Sequence, residues 1–167
     1  MTTIATHSEP APQLVKVDNE VDDDVETDPE VDEDYEVNNE IIDHATFDQL
    51  LEMDDEEDHE FSKSLVWDYF GQAEQTFEDL NTAMSGLDFS ELSRLGHFLK
   101  GSSAALGLVK IRESCERLQH YGSRKGPEGI ETVPDNEAGE LIRALLSQMR
   151  QEYDEASSYL KAIYEEQ

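Results

Sequence analysis

Apolar residues recur every three or four positions through most of residues 61–167, and this period constrains the fold more than any other feature. Such spacing places the apolar side chains along one face of an α-helix. Four stretches show it: 59–84, 89–106, 109–122 and a last one from about residue 135 to the end. No stretch has the strict alternation of apolar and polar residues that indicates a β-strand.

The residues between these stretches are types that begin or end helices. Gly86 and Gly107 follow the first and second stretches, and Asp88 with Glu91 has the spacing of a capping box. The loop over 124–134 is rich in Gly and Pro, and Asp135 or Asn136 can cap the helix that follows. We therefore predict an all-α fold, an antiparallel up-down-up-down four-helix bundle, with a short helix over about 43–53 as a lid.

The charge of the chain is concentrated at its N-terminal end. Residues 1–60 carry 23 acidic residues and one basic residue, whereas residues 61–167 carry 18 and 11. The first forty residues also lack a large apolar face, so they cannot bury enough surface to offset the entropy of ordering. We predict an acidic disordered tail over 1–40 and one helical domain over 41–167.

Composition excludes several classes of protein. A net charge of -29 repels a phosphate backbone, so we expect no nucleic-acid partner. No apolar run approaches the length of about 20 residues that crosses a bilayer, and no secretory signal is evident, so we expect a soluble intracellular protein without a membrane partner. Cys115 has inward helical phase and is predicted to be buried. The acidic residues over 54–58 are predicted to form a solvated link, not a metal site.

The strongest chemical signal is the run His-Phe-Leu-Lys-Gly-Ser-Ser-Ala-Ala-Leu-Gly over 97–107. His97 falls between two leucines of the inner stripe, so the helix turns its imidazole toward solvent. Lys100 and Gly101 follow three and four residues later and share the face of His97. A neutral imidazole can attack phosphorus, a lysine can stabilise the charged product, and a glycine leaves room for a partner.

Two further observations support an anion site around His97. A glycine inside a helix lowers helix stability by about 1 kcal/mol relative to alanine, so its presence at position 101 suggests a functional requirement. Residues 94–125 carry seven basic residues and two acidic ones, a net charge of +5 within a strongly acidic chain. Gly96 and Ala104 are expected to keep the surface around the histidine low. Ser103 is expected to hydrogen-bond within the bundle and not to react.

The 97–107 run resembles the signature of histidine-containing phosphotransfer (HPt) domains, and looks most like the fungal phosphorelay intermediates. Met-Asp-Asp at 53–55, Phe-Ser-Lys at 61–63, Gln-Ala at 72–73 and Cys-Glu-Arg-Leu-Gln at 115–119 extend the resemblance. It covers about residues 41–125. The resemblance implies a four-helix bundle that carries phosphate on a histidine, has no ATP site and is not a self-sufficient enzyme.

The resemblance also implies roles for individual residues. His97 would accept the phosphoryl group of an aspartyl phosphate on the receiver domain of a hybrid sensor kinase, then pass it to the Asp of a response regulator. The chain would need no cofactor, because Mg²⁺ would be held by the receiver. Gln119 would support the phosphoryl group or the receiver loop. The basic residue of the family falls at Ser123 here, and Arg124 is its candidate substitute.

A partner-binding surface is expected around the histidine. Ser93 and Ala104 lie before and after His97 on α-helical spacing and complete the candidate set. Ile41, Ile42 and Met53 of the short helix are candidates for receiver docking, with core packing as the alternative. We expect a monomer, and the fungal type of relay implies partners in both cytoplasm and nucleus.

Two rival functions remain open from the sequence. One is a helical docking module that binds receiver domains or another acidic partner without being phosphorylated. The other is an acidic chaperone or nucleic-acid mimic that acts through the tail. The coincidence of His97, Lys100 and Gly101 on one face favours the phosphocarrier over both.

Overall fold

The computed structural model describes residues 41–55 and 57–165 of the chain. Five helices form there: α1 (His44–Leu51), α2 (Glu60–Ser85), α3 (Phe89–Ala105), α4 (Val109–Gly122) and α5 (Asp135–Glu165). The all-α prediction is confirmed, and the predicted helix bounds agree to within about two residues. The disordered tail predicted over 1–40 lies outside the described residues, so it stays a prediction.

Helices α2 and α5 pack side by side and run in opposite directions. Near the start of α2, Ser62 receives a hydrogen bond from the hydroxyl of Tyr164 at 2.9 Å. Further along α2, Glu74 pairs with Arg150 at 3.0 Å. Residue numbers therefore rise along one helix as they fall along the other, which is the antiparallel arrangement.

The other neighbours are antiparallel as well. Lys110 of α4 lies 3.6 Å from Glu155 of α5, and Ser114 one turn later donates a 2.5 Å hydrogen bond to Glu152 one turn earlier. Helices α3 and α4 are joined by a tight turn at Gly107. The result is the predicted up-down-up-down bundle, in which each helix contacts the two that flank it.

The core is built from the apolar stripes that the sequence shows. The four long helices all contribute fully buried leucines: Leu80, Leu92, Leu99, Leu118 and Leu160. One polar contact inside the bundle joins Tyr69 and Ser103, whose oxygens are 2.9 Å apart. Ser103 is thus a buried bridge between α2 and α3, as expected, and it is not exposed for reaction.

Helix α1 lies across one end of the bundle, where α3 ends. The amide of Asp43 donates to the carbonyl of Gly107 at 2.7 Å. Gly107 has φ +75°, and a Cβ there would come within 2.8 Å of the Asp43 carbonyl oxygen. Only glycine accepts both the left-handed backbone and this approach. Ile42 and Phe47 are buried against this end, so the expectation that Ile42 is a docking residue is wrong.

The acidic link before α2 is partly structural, which corrects the prediction of a solvated segment. The side chain of Asp54 is 2% exposed. Its carboxylate accepts the amide and the hydroxyl of Ser62 at 2.7 and 2.6 Å and contacts Nδ1 of His59 at 2.9 Å. Burial raises the pKa of Asp54, but the hydrogen bonds from Ser62 and His59 outweigh burial and lower it. Asp54 therefore caps the first turn of α2.

We expect Asp54→Ala to lower the free energy of unfolding by about 1–3 kcal/mol at pH 7, because it leaves the Ser62 amide without its acceptor. A carboxylate with a lowered native pKa stabilises above its unfolded value and loses that contribution as the pH falls through the native value. The difference from wild type should therefore shrink between pH 7 and pH 3 in urea unfolding curves. Asp55→Ala, at an exposed neighbour, is the control, and an unchanged difference at pH 3 would contradict the prediction.

Candidate functional site

His97 lies on the outer face of α3. Its inner-stripe neighbours Leu95 and Leu99 are 3% and 0% exposed, whereas His97 is exposed to solvent. The helical phase of the sequence therefore predicted the direction of the imidazole correctly. The ring is available to a partner, because none of the described residues covers it.

Lys100 and Gly101 lie one turn further along the same face. The Lys100 ammonium is 3.7 Å from Glu116 on α4, and both side chains are at least one-third exposed. Such a pair is weak, so the lysine stays available to an anion near His97. Gly101 is exposed, and apart from its chain neighbours and the nearby backbone of α3 no described atom lies within 4 Å of where its Cβ would be. The internal packing of the bundle does not require glycine there.

Gly96 has a different role from the one expected. A Cβ at Gly96 would lie 3.2 Å from Leu118 and 3.3 Å from the carbonyl of Cys115. Gly96 is buried, and it lets α3 and α4 approach each other closely. It keeps the helix interface tight, and does not lower the surface beside the histidine.

A cleft opens between α3 and the end of α4, with His97 at one side. Ser93, Gln119 and Arg124 line it, so the structure brings three of the predicted residues beside the histidine. The remaining lining residues, which the prediction did not include, are Ser90, Arg94, Gly122 and Ser123. Ser90 and Ser93 precede His97 by seven and four residues, and this helical spacing is the signal that could have identified Ser90.

Gly122 lines the cleft where the end of α4 meets the start of α3. A Cβ there would lie 3.0 Å from the Phe89 carbonyl and 3.0 Å from Cβ of Ser93. The end of α4 can pack onto the start of α3 only because this position lacks a side chain. That contact brings Gln119 and the residues after α4 toward His97.

Arg124 does not continue α4, which ends at Gly122. Its backbone is left-handed, with φ +53°, and this turn aims the side chain back over the cleft. The guanidinium carbon lies 4.7 Å from the centre of the Phe89 ring. Nη1 donates to the Gly122 carbonyl at 3.2 Å, and Nε donates to Asp135 at 3.3 Å. The Arg124 guanidinium therefore reaches the cleft, although Arg124 comes one residue after the position expected for a basic residue, Ser123.

The docking residues predicted outside the cleft are dispersed. Met53 is 60% exposed, while Ile41 and Ala104 are half-buried. Helix α1 packs at Gly107, ten residues after His97 and about 15 Å along the axis of α3. Ile41 and Met53 therefore flank a different part of the surface from the cleft.

Phe98 is an exposed residue that the sequence reasoning missed. It directly follows His97 and is 49% exposed. Its ring borders a groove between α2 and α3 that Gln72 and Leu95 also line. Its helical phase, outside the inner stripe, was the signal available in the sequence.

The local positive charge is distributed over several faces of the bundle. Arg94 is paired with Glu91, Lys110 with Glu155, and Arg117 donates to Ser114 beside Glu152. A net charge counted over residues 94–125 does not show such pairing, because Glu91 lies just before that range and Glu152 and Glu155 come from another helix. Of the basic residues over 94–125, only Arg94 and Arg124 line the cleft.

Other chemistries find little support in the described residues. Burial raises the pKa of the Cys115 thiol to about 12, so it is not a reactive thiolate. Within 41–55 and 57–165, no group of three or more His, Cys, Asp or Glu side chains is placed to hold a metal ion. Among the helices described, none is both long and apolar enough to span a bilayer.

Comparison with known proteins places these observations in one family. The model of the Hpt domain matches residues 64–156. Multistep phosphorelay regulator 1 of Schizosaccharomyces pombe is 54% identical over 127 residues, which are 75% of this chain and 43% of that protein. Phosphorelay intermediate protein YPD1 of Candida albicans is 46% identical over 84 residues, 50% of this chain and 45% of that protein. The chain spans about half the length of the curated relatives it matches.

Solved structures agree with the sequence comparisons. The histidine phosphotransfer signaling protein Ypd1 of Saccharomyces cerevisiae, crystallised with the receiver domain of its downstream response regulator Ssk1, superposes with a TM-score of 0.66 at 31% identity. The match covers 75% of this chain and 95% of that one. The family match includes all of α3 and α4, and with them the His97 cleft. The resemblance inferred from the 97–107 run is therefore confirmed, and the chain belongs to the Hpt domain family.

Proposed function

We propose that this protein is a phosphorelay intermediate of two-component signal transduction. It accepts a phosphoryl group on His97 from the aspartyl phosphate of a hybrid kinase receiver domain and transfers it to the Asp of a response regulator. The observation that carries the proposal is an exposed histidine beside Gln119 and Arg124 on an Hpt bundle. A similar bundle, yeast Ypd1, was crystallised with a receiver domain.

The reaction needs only groups that the cleft and the receiver supply together. A neutral imidazole nitrogen of His97 donates its lone pair to phosphorus, and the bond between phosphorus and the aspartyl oxygen breaks. The aspartate leaves as a carboxylate, and the phosphorylated ring can release its other N–H proton to water. Donation to a second receiver reverses these steps, with that receiver's Asp carboxylate as the nucleophile.

The residues around the imidazole stabilise the charge that it gains. Lys100 and Arg124 supply positive charge on two sides, and the Gln119 amide can donate to a phosphoryl oxygen. Ser93 offers a hydroxyl from the same wall of the cleft. Lys100 and Ser93 are held by α3, Gln119 by α4 and Arg124 by the turn after α4, so these groups require little rearrangement when the phosphoryl group arrives.

The surface of α3 that follows His97 is suited to contact with a receiver domain. Phe98 supplies exposed apolar area, and the small residues Gly101 and Ala104 let a partner approach the backbone of α3. Ile41 and Met53 would extend contact toward the α1 end. A receiver brings its Asp close to His97 only if its loops can approach the backbone of α3, and Gly101 permits this approach.

The protein would act as a carrier and not as a self-sufficient enzyme. The sequence has no Gly-rich phosphate-binding loop before a helix, which supports the absence of an ATP site. We propose that the chain holds no cofactor of its own and that the receiver holds the Mg²⁺. We also propose that it acts as a monomer and meets its partners in both cytoplasm and nucleus.

Transfer of labelled phosphate tests the proposal. The full chain is mixed with a receiver domain that carries labelled phosphate on its Asp, and the label is followed. We expect acid-labile, alkali-stable phosphate on this chain, followed by loss of label to a second receiver. Incubation with labelled ATP alone is the control and should leave no label. Binding of receivers without any transfer would favour the docking module.

We expect Lys100→Ala to slow transfer to His97 by about tenfold, because one positive charge near the developing dianion is removed. The fold should be unaffected, since the ion pair with Glu116 is exposed and weak. Single-turnover transfer rates and melting curves provide the measurement. Lys110→Ala is the matched control, because Lys110 pairs with Glu155 on another face. Equal rates for both variants would remove the proposed role of Lys100.

A further inference from the structure

The contacts of Arg124 single out one residue outside the cleft. We propose that Asp135, the first residue of α5, is a positioning residue that holds the Arg124 guanidinium over the His97 cleft for phosphoryl transfer. The proposal rests on the proposed function and extends it to a residue that the family signature does not include. It also explains how Arg124, one position after the place where the family has its basic residue, can serve the site.

The loop between α4 and α5 brings Asp135 opposite Arg124. Lys125 and Thr132 form an isolated antiparallel bridge. The amide of Val133 donates to the Arg124 carbonyl at 3.0 Å, so the returning chain runs beside the turn that contains Arg124. From there Asp135 Oδ1 reaches Nε of Arg124 at 3.3 Å. The sequence led us to expect Asp135 as a helix cap, but it lies inside α5 and pairs with arginine.

Three contacts restrict the guanidinium. Phe89 packs against its face at 4.7 Å, the Gly122 carbonyl accepts from Nη1, and Asp135 accepts from Nε. In the part of the chain that the structure describes, no acceptor binds Nη2, so its two N–H groups remain for a ligand in the cleft. A long side chain held at three points loses less freedom when it binds than one that is free.

The carboxylate of Asp135 also offsets the positive charge that Arg124 presents to an anion in the cleft, which would oppose the function. The pair is 43% and 73% exposed, so water screens this attraction. Hydrogen-bond geometry survives that screening, and we therefore assign Asp135 to orientation. An asparagine keeps the acceptor oxygen and removes the charge, which separates the two effects.

The test compares variants in label transfer from a phosphorylated receiver and in the lifetime of the phosphohistidine after the receiver is removed. We expect Asp135→Ala to lower the transfer rate and the lifetime by about fivefold, a typical coupling within one hydrogen-bonded network. Asp135→Asn should restore most of both quantities. In an Arg124→Ala background, Asp135→Ala should have no further effect.

Glu137→Ala is the control, because Glu137 is an exposed acidic residue of the same first turn of α5. A general effect on α5 would appear in both variants and in their melting curves. Wild-type kinetics in Asp135→Ala, faster transfer in both Asp135 variants, or additive losses with Arg124→Ala would each overturn the proposal. Absence of label on the wild-type chain would instead contradict the proposed function itself.

Discussion

Replacing His97 with glutamine should lower phosphoryl acceptance by more than about a thousandfold, the scale on which removal of a nucleophile acts. The amide of glutamine has no basic lone pair to attack phosphorus, and among the described residues His97 is the one histidine that lines the cleft. The bundle should be unchanged, because exposed substitutions usually alter stability by less than about 0.5 kcal/mol. The measurement is label transfer from a phosphorylated receiver, together with a melting curve.

His44→Gln is the control for the His97 variant. His44 lies on α1, where its Nε2 contacts the Tyr159 hydroxyl at 3.1 Å, far from the cleft. This variant should accept label at the wild-type rate. If His97→Gln still accepted label, the phosphorylated residue would have to be one other than His97. A large fall in the melting temperature of His97→Gln would mean that the imidazole supports the fold.

Gly101→Gln should lower the rate of transfer about a hundredfold and leave the protein at least as stable as wild type. Gly101 is exposed and a Cβ there meets no neighbouring helix among the described residues, so we expect the side chain to extend into solvent without displacing the core. Glutamine is also a better helix former than glycine by several tenths of a kcal/mol. The same side chain would stand between a receiver and His97, and one misplaced contact near the reacting atoms costs about a hundredfold.

Gly101→Ala separates obstruction from helix propensity. Alanine gains helix stability over glycine by about 1 kcal/mol but adds only one methyl group to the surface. We expect this variant to melt higher than wild type and to keep most of the transfer rate. Rates are measured over a range of receiver concentrations, because obstruction should weaken binding as well as transfer. Equal transfer by Gly101→Gln and wild type would show that no partner approaches this turn.

The helices and the direction of His97 could be predicted because both depend on local periodicity. An apolar residue every three or four positions defines the inner face of a helix, and residues between those positions face outward. The capping of α3 is equally local: Asp88 accepts the amide of Glu91 at 3.1 Å, as the capping-box spacing indicates. Gly107 also has the left-handed backbone that its place after α3 predicted.

The incorrect assignments concern residues whose environment comes from elsewhere in the chain. Ile42, just before α1, and Gly96, on α3, are equally compatible with a surface or an interface when each segment is considered alone. Ile42 is buried because α1 folds over the end of the bundle, and Gly96 is covered because α4 packs against it. Asp54 is similar, because a run of acidic residues gives no sign that one of them will accept hydrogen bonds from Ser62, eight positions later in the first turn of α2.

The sequence by itself determined that this chain forms four amphipathic helices and presents His97, Lys100 and Gly101 on one exposed face, because neighbours three and four residues apart meet on any α-helix. Only the tertiary structure decided what joins His97 in the cleft. Gln119 and Arg124 reach the cleft through the Gly122 contact and a left-handed turn, and Asp135, outside the cleft, reaches Arg124 through the loop before α5. These positions depend on packing between segments distant in the chain, which local spacing does not encode.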